Sequence, residues 1–148
     1  MKVSQDLNQY GFSTEIRVRL SETDALGIVF FGRFGSYFDV GRMDYLAHLG
    51  LERFGGSIAG LIPGAVVGLS TQFHSPARYN DTLTVHVRIV HIGQTSYTFH
   101  FLVNNKHTRA LVATGELTLV WLNDDFRPVR VPDEFRQIVD AFEGRATA

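Results

Sequence analysis

The sequence predicts an α+β domain in which one long helix packs against an antiparallel sheet. Apolar and polar residues alternate before residue 22 and again over most of residues 67–122, as they do in half-buried strands. Between these regions, around residues 33–49, apolar residues recur at helical spacing. Consecutive strands with the helices set apart from them are typical of the α+β class.

The predicted elements follow in a simple order. The first strand covers residues 14–21 and places Ile16, Val18 and Leu20 on one face. The helix follows at about 33–49, with a wide apolar stripe. Four further strands are predicted near 67–73, 82–89, 97–103 and 111–122, before a short C-terminal helix at about 133–142.

Glycines mark the helix and the segment after it. Gly35 and Gly41 lie inside the predicted helix, where each costs roughly 1 kcal/mol relative to alanine. We expect the helix to approach another backbone closely, with burial against the sheet, and so to compensate for that cost. Gly50 stands where a glycine commonly ends a helix. The glycines between 55 and 68, with Pro63 among them, predict a loop.

One helix cannot cover both faces of a five-stranded sheet, and the predicted strands carry few polar residues. Pairing of two copies through a sheet edge, with their helices packed together, would bury the remaining apolar surface. We therefore expect a homodimer.

Composition is typical of a soluble single-domain protein. Its 148 residues predict one domain over 1–148, with a short extension at 1–13. A net charge of −1 provides no general attraction to nucleic acid or anionic membranes. The sequence has no cysteine, no signal peptide and no apolar run of about 20 residues that could span a membrane. We expect a cytoplasmic protein that binds neither nucleic acid nor membranes.

Several familiar sites are excluded by their missing motifs. No serine lies in a G-x-S-x-G elbow, and neither a P-loop nor a dinucleotide-binding G-x-G-x-x-G is present. The six histidines lack the spacing that places two ligands on one helical face. We therefore expect no metal site and no bound cofactor.

The segment 22–32, ETDALGIVFFG, combines features that chemistry can use. Asp24 is a carboxylate in a loop after a strand, and Gly27 permits a tight reversal. The helix that follows begins with N–H groups that have no intrahelical partner and that could hold an oxyanion. Asp24 could equally do no more than accept hydrogen bonds from its own turn. The aromatic residues that follow could line a pocket or belong to the core.

At this point the sequence resembles a known family. The stretch 22–31 and the helix start 34–42, FGSYFDVGR, are similar to the signature of the 4-hydroxybenzoyl-CoA thioesterase family, whose core is D-x-x-G-[IV]-V-[FYW]-[FY]. Weaker similarity follows in the same order at 73–81, FHSPARYND, at 120–122, VWL, and at 127–132, RPVRVP. The resemblance implies the hotdog fold, in which a five-stranded antiparallel sheet wraps around a long central helix.

The resemblance also implies roles for the matching residues. Asp24 would attack an acyl-CoA thioester or activate water, the Phe31 backbone N–H would polarise the carbonyl, and Gly27 would shape the loop. Coenzyme A would be part of the substrate and product, and the active sites would lie between subunits of dimers that pair into tetramers. The residues expected to bind substrate are Phe30, Phe34, Thr71, Phe73, Gly93, Gln94 and Thr95. The partner subunit would contribute the strand residues between 66 and 75.

One departure concerns the turn between the third and fourth strands, 91–96. Relatives can carry basic residues there, where coenzyme A phosphates bind, but this turn reads HIGQTS. The nearest basic residues in the sequence are Arg88, Lys106 and Arg109. An acyl carrier protein thioester therefore remains an alternative substrate.

Two further alternatives remain. The catalytic carboxylate could lie on the helix, at Asp39 or Asp44, although Asp39 can also pair with Arg42 three residues later. The domain could also bind acyl-CoA without hydrolysing it.

Overall fold

The computed structural model describes residues 2–54 and 64–146, so the loop predicted from the glycines between 55 and 68 lies outside the described residues up to 63. Its predicted end is wrong, because a strand already begins at Ala65. Within the described ranges, five antiparallel strands form one sheet in the order β1-β3-β4-β5-β2. The strands are β1 Phe12–Arg17, β2 Ala65–Phe73, β3 Thr82–Ile92, β4 Ser96–Asn105 and β5 Leu111–Val120, and the helices are α1 Phe34–His48 and α2 Asp133–Glu143. The α+β class with a long helix against a five-stranded antiparallel sheet is confirmed.

The first strand is shorter than predicted at its end. Its pairing with β3 stops at Arg17, and Leu20 lies 67% exposed in a 3₁₀ turn rather than on the inner face. The side chain of Glu22 accepts a hydrogen bond from the Arg19 N–H at 2.9 Å, which closes this turn. Period-two alternation continues past Arg17 in the sequence, but this local hydrogen bond ends the strand.

The central helix packs against the sheet through Gly41. A Cβ built there would lie 2.9 Å from Val85 and 3.0 Å from Val87, both on β3. The predicted burial against the sheet is therefore confirmed at Gly41, but the predicted approach to another backbone is wrong, because side chains meet this glycine. The same explanation is wrong for Gly35, where a Cβ would meet no atom within 4 Å. Gly50 has φ +67° just beyond the end of α1, as predicted for a glycine at a helix end.

The C-terminal helix covers the part of β3 that extends beyond β1. The β1–β3 pairing ends at Val87, and β3 bulges between Ile89 and His91. There Glu143 accepts a hydrogen bond of 3.1 Å from the Ile89 N–H, and Arg145 donates one of 2.7 Å to the Ile89 carbonyl. Side chains of α2 and the residues just after it thus replace a missing neighbouring strand.

The opposite edge of the sheet, β2, is exposed. Its pairing with β5 is the only strand pairing it has among the described residues. Its exposed apolar side chains are Val66, Val67, Leu69 and Phe73. None of the helices in the described part of the chain is long and apolar enough to cross a membrane.

Candidate active site

Asp24 lies in a small reversal between the end of β1 and the start of α1. Its backbone N–H donates to the Ile28 carbonyl at 2.9 Å, and its carbonyl accepts from the Gly27 N–H at 3.0 Å. One carboxylate oxygen, Oδ1, accepts a 2.8 Å hydrogen bond from the Leu26 N–H. Within the described part of the chain, Oδ2 accepts no hydrogen bond. The turn therefore fixes the carboxylate through one oxygen and leaves the other without a partner among the described residues.

Gly27 gives this reversal its shape. It has φ +78°, in the left-handed region that side chains with a Cβ rarely adopt. The chain then returns antiparallel to itself, because Thr23 and Val29 form a bridge and the Phe30 N–H donates to the Glu22 carbonyl at 2.9 Å. Asp24 and the start of the helix are thereby joined by one hydrogen-bonded loop.

The predicted oxyanion donor lies at the beginning of a 3₁₀ turn, Phe31–Arg33, that leads directly into α1. The first N–H groups of such a segment have no partner within it. The Phe31 N–H donates no hydrogen bond to any described residue, and its side chain is exposed. This N–H is therefore free to bind a carbonyl oxygen.

Glu22 connects the Asp24 loop to the helix, a role that was not predicted from the sequence. Its carboxylate is only 6% exposed and accepts hydrogen bonds from the Arg19 backbone, the Arg19 guanidinium and the Tyr37 hydroxyl. Burial acts to raise the pKa of Glu22, but these hydrogen bonds outweigh it, and the pKa lies below its ordinary value. The sequence offered one indication of this role, which is that Glu22 is a second carboxylate only two positions before Asp24.

The aromatic residues after Asp24 divide into two groups. Phe34, Tyr37 and Phe38 are buried in the core, whereas Phe30 and Phe31 are exposed and lie with their ring centroids 4.6 Å apart.

The predicted acyl-binding residues lie near the helix start and on β2. Phe34 contacts Phe73 of β2 edge to face, with centroids 5.3 Å apart. Phe73 and Phe30 are exposed, and Thr71 is half-buried on the same strand as Phe73. The sequence-predicted residues Phe34 and Phe73 are therefore in contact, and the exposed ring of Phe73 is the accessible member of that pair.

The predicted coenzyme A turn, Gly93 to Thr95, lies at the β3–β4 connection. The Gly93 N–H donates to the Ser96 carbonyl at 2.8 Å. The Gly93 carbonyl accepts a 3.0 Å hydrogen bond from Arg136 of α2. Arg136 was not among the basic residues expected near this turn, because it lies more than 40 positions later in the sequence. One feature could have indicated that Arg136 is buried: it lies next to Phe135 and three positions before Val139, and both of these residues are buried in α2.

The two helix carboxylates have other partners. Asp39 forms a 2.8 Å ion pair with Arg42, as its spacing predicts, and Asp44 accepts a 2.8 Å hydrogen bond from Thr14. Both carboxylates lie on exposed positions of α1. These partners explain both residues without a catalytic role.

Among the described residues, no group of three or more histidine, aspartate or glutamate side chains could hold a metal ion. Two histidines instead lie on the sheet face away from α1, where His86 bonds to Asn104 at 2.9 Å and His100 bonds to Glu116 at 2.7 Å. Their partners fit a structural role for both.

Comparison with solved structures supports the fold. A thioesterase from Thermus thermophilus, solved with coenzyme A and zinc, superposes with a TM-score of 0.80 and 26% sequence identity, over 93% of this chain and 98% of that one. A mutant of 4-hydroxybenzoyl CoA thioesterase bound to 4-hydroxybenzoyl CoA superposes with a TM-score of 0.77 over 86% of this chain and 97% of the other. At 20% identity, the second match supports the shared fold alone.

Sequence relatives carry thioesterase names. A chloroplastic acyl-acyl carrier protein thioesterase of Arabidopsis thaliana is 26% identical over 134 residues, 87% of this chain. YneP of Bacillus subtilis, a candidate acyl-CoA thioesterase by name, is 28% identical over 131 residues, which cover 87% of this chain and 93% of YneP. The chain spans 68% of the length of that plant relative and 64% of a second one.

The sequence profile of the thioesterase superfamily matches residues 26–112. The match begins two residues after Asp24 and runs through α1 to the start of β5. Together with the hotdog architecture of the neighbouring structures, it shows that this chain belongs to the thioesterase superfamily and is a thioester hydrolase.

Proposed function

We propose that this enzyme hydrolyses an acyl-CoA to a free acid and coenzyme A, with Asp24 as its catalytic carboxylate. The observation that carries the proposal is the loop 22–31, which holds an unengaged oxygen of Asp24 near one end and the unpaired Phe31 N–H at the other. A base or nucleophile and an oxyanion donor on one rigid loop are what attack on a thioester carbonyl requires.

Two routes use the same groups. As a general base, Asp24 takes a proton from water while the water oxygen attacks the carbonyl carbon. The Phe31 N–H then stabilises the oxyanion, which collapses as the carbon–sulfur bond breaks, and the thiolate leaves and takes up a proton. As a nucleophile, Asp24 instead attacks the carbonyl itself, and the carbon–sulfur bond breaks to release the thiolate, which takes up a proton. Water then hydrolyses the resulting mixed anhydride to the free acid and the Asp24 carboxylate.

The acyl group would lie near Phe30 and Phe73, the exposed aromatic residues at the helix start and on β2. Phe34 supports Phe73 from behind, and Thr71 lies two residues before it on β2. At the other end of the substrate, the turn from Gly93 to Thr95 would contact the carrier. This arrangement separates acyl recognition from carrier recognition.

A homodimer through β2 is part of the proposal. An edge strand with exposed apolar side chains and an unpaired side is a surface for pairing with a second copy. Pairing would bury Val67 and Leu69 and bring β2 of each copy close to the other's site. Two such dimers would form the tetramer that the family resemblance implies.

The dimer is tested by sedimentation of Leu69→Lys beside Leu20→Lys. Both leucines are exposed, but Leu20 lies in the 3₁₀ turn after β1 and away from the β2 edge. We expect Leu69→Lys to shift the protein toward monomer and Leu20→Lys to leave it dimeric. A wild-type protein that sediments as a monomer at micromolar concentration would exclude the dimer.

An acyl carrier protein as the carrier is the second candidate, because the two plant relatives bear that name. The experiment offers the enzyme one acyl group on coenzyme A and the same acyl group on acyl carrier protein, and follows release of the free thiol. We expect hydrolysis of acyl-CoA. Hydrolysis of acyl carrier protein thioesters alone would reject coenzyme A as the carrier, and tight acyl-CoA binding without turnover would reject acyl-CoA hydrolysis.

A further inference from the structure

The C-terminal part of the chain binds four consecutive backbone carbonyls around the β3–β4 turn. Arg136 donates to the Ile92 carbonyl at 3.2 Å and to the Gly93 carbonyl at 3.0 Å. The Val131 N–H donates to the Gln94 carbonyl at 2.8 Å, and the Trp121 N–H donates to the Thr95 carbonyl at 2.7 Å. Each carbonyl of the turn therefore points toward the segment that follows β5 or toward α2.

This arrangement determines where the N–H groups of the turn point. In a trans peptide unit, the carbonyl of one residue and the N–H of the next point in opposite directions. Because the Gly93 and Gln94 carbonyls point toward α2 and Val131, the N–H groups of Gln94 and Thr95 point away from them. Neither N–H donates a hydrogen bond to any residue in 2–54 or 64–146. Two neighbouring free N–H groups with a common direction suit an anion such as phosphate.

A buried positive charge lies directly behind this turn. The side chain of Arg136 is only 7% exposed, and its Nε has no hydrogen-bond partner among the described residues. Arg136 forms no ion pair with a described carboxylate, since the nearby Asp140 pairs with Arg145 at 3.3 Å. A buried guanidinium without a neutralising partner is costly, so an anion bound at the turn would lower its free energy.

We propose that Arg136 is a positioning residue for the phosphate of the substrate's carrier. Its guanidinium binds two carbonyls of the turn, so that the free N–H groups of the turn point away from α2. It also supplies the positive charge that the sequence HIGQTS lacks. The ligand class is the phosphate that coenzyme A and phosphopantetheine share, or a further phosphate of coenzyme A. The inference rests on the proposed function for its substrate but not on the role of Asp24.

Calorimetric binding of coenzyme A, phosphopantetheine and pantetheine to the intact enzyme tests the proposal. We expect Arg136→Gln to weaken coenzyme A binding by about tenfold or more, because the turn loses the nearby positive charge, and to leave pantetheine binding unchanged. With acyl-CoA as substrate, KM should rise while kcat changes little. Arg136→Lys keeps the charge but loses the planar fork, so it should give an intermediate loss and also provides a variant if Arg136→Gln does not fold.

Arg145→Gln is the matched control. Arg145 also donates to a β3 carbonyl, that of Ile89 at 2.7 Å, but it lies away from the turn. Arg145→Gln should lower the melting temperature without changing the preference for coenzyme A over pantetheine.

The binding and turnover results distinguish which phosphate binds at the turn, whether Arg136 has the proposed role and whether the proposed function holds. A loss confined to coenzyme A assigns the site to a phosphate of its nucleotide part, and an equal loss with phosphopantetheine assigns it to the shared phosphate. Equal weakening of all three ligands, or no weakening of any, overturns the role of Arg136. If the wild type binds coenzyme A through Arg136 but hydrolyses no thioester, the proposed function fails and this inference stands. If the wild type hydrolyses acyl-CoA but Arg136→Gln leaves coenzyme A affinity unchanged, this inference alone fails.

Discussion

The Tyr37 hydroxyl donates a 3.0 Å hydrogen bond to the Glu22 carboxylate, which links the first turns of α1 to the loop that carries Asp24. Both side chains are buried. Burial, together with the neighbouring negative charge of Glu22, raises the pKa of Tyr37, so its hydroxyl remains a donor throughout the working pH range. The distance between Asp24 and the helix N–H groups is therefore held by a side-chain contact as well as by the backbone.

Tyr37→Phe should lower both stability and turnover. Loss of one hydrogen bond to a buried carboxylate costs about 1–3 kcal/mol, and a looser loop should reduce kcat by roughly tenfold. Denaturant unfolding and steady-state kinetics measure the two effects.

Tyr45→Phe is the control for that prediction. Tyr45 donates a 2.6 Å hydrogen bond to Glu143, so it is another buried tyrosine paired with a glutamate, but the partner lies on α2. Tyr45→Phe should lower the free energy of unfolding about as much as Tyr37→Phe does and leave kcat unchanged. Equal kcat losses in the two variants would mean that the Glu22 contact supports the fold alone.

The two helix glycines should respond in opposite directions to alanine. At Gly41 a Cβ would lie 2.9 Å from Val85, so Gly41→Ala should destabilise the protein by about 1–3 kcal/mol through overpacking. At Gly35 a Cβ meets no atom within 4 Å, so Gly35→Ala should stabilise it by up to about 1 kcal/mol through helix propensity. Thermal or denaturant unfolding of both variants checks the signs, and a stabilising Gly41→Ala would contradict the packing described.

Stability should decrease below about pH 6.5, in part through His100. Burial lowers the pKa of His100 below 6.5, and the hydrogen bond to Glu116 offsets this only in part. The unfolded chain therefore takes up a proton at a pH where the folded His100 does not, so stability is fully present above pH 6.5 and is lost as pH falls toward the folded pKa.

Unfolding free energies measured from pH 7.5 to 5 test this contribution. His100→Gln should flatten the slope below pH 6.5, because glutamine does not titrate but its amide can still donate to Glu116. His86, whose pKa burial also lowers, keeps part of the slope. An unchanged slope in His100→Gln would show that this histidine does not set the acid sensitivity.

The elements that depend on local sequence pattern could be predicted from the sequence. Alternation predicted the strands, helical spacing predicted α1, and the spacing from Asp24 to Gly27 predicted the reversal whose φ of +78° is observed. The predicted end of β1 was wrong because the Glu22 carboxylate accepts a hydrogen bond from the Arg19 N–H, which closes a turn within an alternating stretch. Local pattern does not report such a contact.

Hydrogen-bonded pairs of residues that lie far apart in the sequence could not be predicted from local pattern. Glu22 and Tyr37 are 15 positions apart, and Arg136 and Gly93 are 43 apart. In both cases a charged residue lies at a buried position, which signals that a partner exists but not which residue it is. The turn itself has no basic residue, and the arginine that donates to its carbonyls lies on α2.

The catalytic role of Asp24 is tested by the turnover of Asp24→Asn, measured beside Asp39→Asn on the best acyl-CoA substrate. Asparagine keeps the size of the side chain and can still accept from the Leu26 N–H, so the turn should persist. We predict a loss in kcat of at least about a thousandfold for Asp24→Asn, as for removal of an essential base or nucleophile, and near wild-type kcat for Asp39→Asn. Near wild-type turnover in Asp24→Asn, with or without a loss in Asp39→Asn, would contradict it.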